Sequence, residues 1–191
     1  MGKTRALGLH LFLFLLAQPL IFSSDLRALP AQDVRPINNR DYLPSVLDRI
    51  NKATKSIRVM MYLAQRYENF SQSPPNQLLL ALAQAQKRGV EVQVILERPK
   101  HDNERSSDLS RKNKQVEKFL TGAGIVAMED SPKITTHAKV LVIDTRYIII
   151  GSTNWTYAAL ALNNEASVMI DSPAVAKVYE GLFEQIKEQH E

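Results

Sequence analysis

Residues 137–154 read HAKVLVIDTRYIIIGSTN and gather side chains able to do chemistry on an anion. His137 and Lys139 are one residue apart, so on an extended chain they share a face. Asp144 follows Lys139 after four residues, and Gly151-Ser152-Thr153-Asn154 follows Asp144 after six more. An imidazole can attack phosphorus or relay a proton, while an ammonium and an amide can donate to non-bridging oxygens. The intervening residues are apolar, and they predict a hairpin of two strands, Ala138–Ile143 and Tyr147–Ile150, joined by the tight turn Asp144-Thr145-Arg146. Burying those strands gathers His137, Lys139, Ser152 and Asn154 at one end of the pair. His137 opens the first strand and Asn154 follows the second. Gly151 and Ser152 let the backbone approach such an anion, with Ser152 as a secondary donor. Asp144 falls at the turn, where an aspartate serves structure and local electrostatics more readily than direct chemistry.

The pattern resembles the signature of the phospholipase D superfamily, H-x-K-x4-D-x6-G-S-x-N. His137, Lys139, Asp144, Gly151, Ser152 and Asn154 meet every specified position. Six fixed residues arise by chance in a chain this long on the order of a few times in a million. Trp155-Thr156, Asn164-Glu165 and the earlier KSI-x-x-MMY stretch extend the resemblance, which covers residues 41–188. It implies an α/β fold, a mixed sheet flanked by helices on both faces as a phospholipase D-like α/β/α sandwich. It also implies a mechanism. One histidine forms a covalent phosphohistidine, and a second, from another copy of the motif, protonates the leaving oxygen and then activates water. Lysine and asparagine side chains hold the phosphoryl oxygens, the lysines supplying the positive charge, with no divalent metal and no cofactor. The implied catalytic residues are His137, Lys139, Asp144, Ser152, Asn154 and Glu165; the implied substrate-binding residues are Lys139, Asn154 and Trp155. Glu165 has two readings, orienting His137 or opening a strand. Trp155 likewise either packs in the core or stacks on a base.

Of the four histidines, His10, His101, His137 and His190, only His137 is followed by the lysine two places on. A single motif supplies half of a two-histidine site. The expected assembly is a homodimer whose two-fold axis passes through the active site. Bacterial endonucleases and mitochondrial relatives with one motif per chain are the similar members of the superfamily.

The elements that must position this motif are spread along the chain. The expected helices are Leu43–Lys55, Gln77–Arg88, Asp108–Leu120 and Pro173–Gln189, the last capped by Ser172. The expected strands outside the hairpin are Ser56–Leu63, Val90–Leu96, Ile125–Met128 and Glu165–Ile170, with a short one near Val34–Ile37. Ser73-Pro74-Pro75-Asn76 reads as a breaker and Glu97–Ser107 as an exposed loop. Strands alternating with helices support the α/β reading. Residues 24–40 form a linker with that short strand, and 41–191 form one catalytic domain. Tyr67 and Phe70 anchor a loop or face a substrate. Between Arg98 and Lys118 lie seven cations and four acids. That run reads as a solvated helix face or as a track for a nucleic-acid backbone.

Lys3 and Arg5 precede an apolar run from Ala6 to Phe22, the form of an export signal. No position between Phe22 and Ala31 places small residues at both −3 and −1, so residues 1–23 are a signal peptide or a signal anchor. The domain is then exported, periplasmic or secreted, with membrane attachment through this segment if it stays. The chain of 191 residues holds 24 Lys+Arg and 20 Asp+Glu, a formal charge of +4 that falls to about +2 without Lys3 and Arg5. It contains no Cys. That rules out a disulfide scaffold, a thiolate zinc site, a cysteine nucleophile and a lipid-modified N-terminal Cys. The expected activity is non-specific hydrolysis of DNA or RNA, against an alternative of phospholipid headgroup or cardiolipin hydrolysis; an idle nucleic-acid-binding module fits the intact motif less well.

Overall fold

The inner strands carry apolar residues on both faces, so both faces of their sheet must be covered. The computed structural model describes residues 28–100 and 104–189. In chain order its elements are β1 (Asp33–Pro36), α1 (Tyr42–Lys52), β2 (Ser56–Met61), α2 (Pro74–Lys87), β3 (Glu91–Leu96), α3 (Glu104–Gly122), β4 (Val126–Glu129), β5 (Lys139–Ile143), β6 (Tyr147–Gly151), α4 (Tyr157–Ala161), β7 (Ser167–Asp171) and α5 (Pro173–Glu188). The seven strands lie in the order β1-β7-β6-β5-β2-β3-β4. β2, β3 and β4 are parallel, while β5, β6, β7 and β1 pair antiparallel with their neighbours. This is the mixed α/β sheet the sequence implied.

Side-chain alternation sorts the core into two layers. Ile57, Val59 and Met61 of β2, with Leu141 and Ile143 of β5, face the helices α1, α2 and α3, where Val46, Ile50, Leu78, Leu82, Val116 and Leu120 are buried. Met60, Ile95, Val140, Val142 and Ile148 point the other way, onto Ala176 and Phe183 of α5. The covering is unequal, with α5 the long helix on the second face. The crossovers α2 and α3 share one face, as crossovers of one hand must when the chain moves steadily across a sheet.

Several local expectations are corrected. Pro74 and Pro75 do not precede a helix but begin it, since the missing N–H and fixed φ suit the first helical positions. α3 starts at Glu104, inside the segment expected to be loop. Glu97, assigned to that exposed loop, is 2% exposed. Glu165 lies ahead of β7, which begins at Ser167. α4 was not anticipated, being a helix of five residues. Among the described residues no helix is long and apolar enough to cross a membrane. The signal or anchor expected over 1–23 lies outside them.

Candidate active site

The site forms where β2 ends and β5 begins, because Lys139 is registered against Met61. Beyond the last strand pairs, backbone hydrogen bonds lace the segments together. Tyr62 N–H donates to Ala138 O (2.9 Å), Trp155 N–H to Leu63 O (3.0 Å) and Gln65 N–H to Trp155 O (2.9 Å). Ser152 N–H donates to Ala166 O (3.0 Å). The polar residues before β5 and after β6 are thus brought to one edge of the sheet, as the hairpin argument required.

His137 is exposed at this edge, its ring tilted against Tyr62 with centroids 4.3 Å apart. Lys139 is 7% exposed; its Nζ donates to His137 O (2.9 Å), lies 3.5 Å from His137 Nδ1 and sits 4.8 Å from the Tyr62 ring centre. Desolvation lowers the Lys139 pKa, opposed by the negative charge of Glu165. Desolvation, then the Lys139 charge, also lowers the His137 pKa. An imidazole beside a buried cation is kept unprotonated, the form in which it can attack.

Ser152 Oγ donates to Glu165 Oε2 and accepts from Ala166 N–H (3.1 Å), while Asn163 Nδ2 donates to Glu165 Oε1 (3.1 Å). Glu165 is therefore held by Ser152 and Asn163, and its influence here is the field it exerts on Lys139. Neither earlier reading of Glu165 describes this arrangement. Asn154 Oδ1 is buried without a hydrogen-bond partner, as are Ser73 Oγ, Glu129 Oε1 and Asp130 Oδ2 among the described residues. His137, Lys139, Ser152, Asn154 and Glu165 thus belong to one edge.

Asp144 and Trp155 do not. Asp144 lies at the far end of β5, roughly 16 Å along the strand from Lys139. Its carboxylate accepts from the N–H groups of Thr54 (3.0 Å), Lys55 (2.7 Å) and Ser56 (3.1 Å), fastening the hairpin turn to the α1–β2 connection. Trp155 is 1% exposed and its Nε1 donates to Tyr42 Oη (3.2 Å), so the proposed base contact is corrected: the ring is core and offers no face to substrate. Gly151 also has a different reason from the one expected. A Cβ there would collide with Ala166 O and the Ser167 side chain, so the glycine admits β7 rather than a phosphate.

Sequence reading missed three supports. Tyr62 packs on both His137 and Lys139. Asn113, fully buried in α3, donates from Nδ2 to Tyr62 O and Glu97 O (both 2.9 Å) and accepts from Ala64 N–H (3.0 Å). The signal was its place on the apolar stripe Leu109-Asn113-Val116-Leu120, where a polar residue must find partners. Glu97, at the end of β3, accepts from Thr136 N–H, the residue before His137 (2.5 Å). Burial raises its pKa to about 7, and the neighbouring Asp130 pushes the same way against the Thr136 hydrogen bond.

A model described as "Cardiolipin synthase, PLD-like domain" matches residues 46–187, and the chain belongs to the phospholipase D superfamily. Among solved structures it is similar to Nuc of Salmonella typhimurium, a phospholipase D family member, with TM-score 0.69 and 26% identity over 83% of this chain and 96% of that one. The phospholipase D of Rickettsia typhi is 30% identical over 134 residues, 70% of this chain and 57% of the relative. A mitochondrial cardiolipin hydrolase of Xenopus laevis is 31% identical over 72 residues, 38% of this chain and 34% of the relative. The chain thus spans little more than half the length of the Rickettsia protein.

Proposed function

We propose that the protein is an exported, metal-independent endonuclease that hydrolyses DNA or RNA as a homodimer. Two copies meet at the edge bearing His137, each contributing His137, Lys139 and Asn154. One His137 attacks phosphorus; the P–N bond forms as the P–O ester bond breaks, and the second copy's His137, protonated, gives its proton to the leaving oxygen. That imidazole, now neutral, takes a proton from water. The resulting attack on phosphorus breaks the P–N bond and restores the first histidine. Lys139 and Asn154 donate to the equatorial oxygens, where charge accumulates. Ser152 and Glu165 hold the cluster's electrostatic balance.

The observation that carries this reading is one HxK motif per chain on a domain that matches nearly the full length of Nuc. A second reading, hydrolysis of phospholipid headgroups or cardiolipin, draws support from the names of the Rickettsia and Xenopus relatives and from an N-terminal segment suited to holding the site near a bilayer. The full chain, incubated in excess chelator with single-stranded DNA, duplex DNA, RNA and cardiolipin-containing vesicles, separates the two. Nucleic-acid cleavage is expected. Lipid turnover without nucleic-acid cleavage would favour the second reading, and loss of all activity in chelator would remove the metal-free mechanism from both. Fractionation of expressing cells tests export.

A further inference from the structure

We propose that one face of α3 is a binding track for the phosphodiester backbone of a nucleic acid, leading away from His137; this rests on the nuclease reading above and extends it. Ser107, Ser110, Arg111, Lys114, Gln115 and Lys118 line one open groove. Their spacing of three, four, seven, eight and eleven residues from Ser107 is that of a single stripe on a helix, about 16 Å long. Every member is a hydrogen-bond donor or a cation, and none is acidic. The opposite stripe, Leu109, Asn113, Val116 and Leu120, is the one buried against the sheet.

The groove continues to Arg98 and Lys100. Arg98 N–H donates to Asp130 Oδ1 (2.6 Å), and its neighbour Glu97 holds Thr136, so the track begins beside the catalytic edge. Among described residues Arg98, Lys100, Lys114 and Lys118 form no salt bridge. Arg111 shares Asp108 with Lys112. Burial raises the pKa of Glu129, against the pull of the Lys114 and Arg98 charges.

The composition of the stripe selects its occupant. A membrane-docking face needs apolar side chains to insert. Here the exposed apolar residues Phe70, Leu80, Tyr157 and Leu162 lie outside the groove. Hydroxyls, an amide and cations without an aromatic suit phosphate and sugar contacts, which position a strand without reading its bases. The track therefore predicts affinity for long substrates with little sequence preference.

The test uses the full chain carrying His137→Ala, so that DNA is bound and not cut, with and without Arg111→Gln/Lys114→Gln/Lys118→Gln. Binding of a fluorescent single-stranded oligonucleotide of about 30 nucleotides is followed by anisotropy against salt. The triple substitution is expected to weaken binding at least about tenfold near 0.1 M salt and to flatten the log–log salt slope by about 2. With His137 intact, the same substitutions should leave hydrolysis of bis(p-nitrophenyl) phosphate unchanged, since that diester has no backbone beyond the reacting phosphate. Unchanged oligonucleotide affinity and slope would overturn the track while leaving the nuclease reading standing. So would loss of binding to cardiolipin vesicles with DNA binding intact. A wild-type chain that cuts no nucleic acid would instead overturn the nuclease reading, whatever the stripe binds.

Discussion

The Thr136 N–H donates to Glu97 Oε2 at 2.5 Å, tying the residue before His137 to the end of β3. Glu97 is buried and its pKa is raised to about 7 from 4.5. A raised carboxyl pKa means that the folded state holds the proton more tightly than the unfolded state. The stabilisation is complete below about pH 4.5 and is lost as pH rises through about 7. Glu97→Gln keeps an acceptor for Thr136 and carries no charge. It should match wild type at pH 4 and exceed it by about 1–3 kcal/mol at pH 8 in urea unfolding. Equal stability at both pH values would show that Glu97 ionises without cost.

Asp144 fastens the β5–β6 turn to three consecutive backbone N–H groups of residues 54–56. Asp144→Ala leaves those donors without the charged acceptor and should cost about 2–3 kcal/mol of stability. The surviving folded protein should keep near-normal kcat, because the carboxylate is remote from Lys139. Loss of kcat with unchanged stability would return Asp144 to the reaction.

Thr145 sits in the same turn with φ 56, as does Asp144. A β-branched residue is strained in this left-handed region, whereas glycine is not. Thr145→Gly is expected to raise stability by about 1 kcal/mol with activity unaltered. A lower melting temperature would contradict it.

Much of the site was legible because its chemistry is local in sequence. His137, Lys139, Ser152 and Asn154 come from a single hairpin, and the continuous apolar runs inside it fix which end holds them. The layers were legible for the same reason, since doubly apolar strands such as β2 and β5 must be covered on both sides. What stayed hidden depends on partners distant in the chain. Glu97 looks like a solvent residue, and the partners of Asn113 stay unknown, until β3, α3 and the 62–64 segment meet around them. Glu165 reads as a histidine partner or a strand residue until β7 brings it to Ser152. Trp155 follows the motif directly, yet the bridge to Ala64 and the hydrogen bond to Tyr42 turn it inward. α4 is too short for a periodic signal.

The pKa of His137 is depressed by desolvation and by the Lys139 charge. A depressed value keeps the imidazole unprotonated to lower pH, so the proposed nucleophile stays available in mild acid. The acid limb of kcat/KM should therefore have its midpoint below the ordinary histidine value of 6.5. A midpoint above 6.5 would mean that a carboxylate, not Lys139, dominates the field at the ring.

The central proposal is an active site shared by two copies, and subunit mixing tests it most directly. Wild-type and His137→Ala chains are unfolded together and refolded at varied ratios with total protein constant. If both imidazoles are needed, activity follows the square of the wild-type fraction and falls to about one quarter at equal amounts. Activity that declines in direct proportion to that fraction, to about one half, would show that each chain works alone.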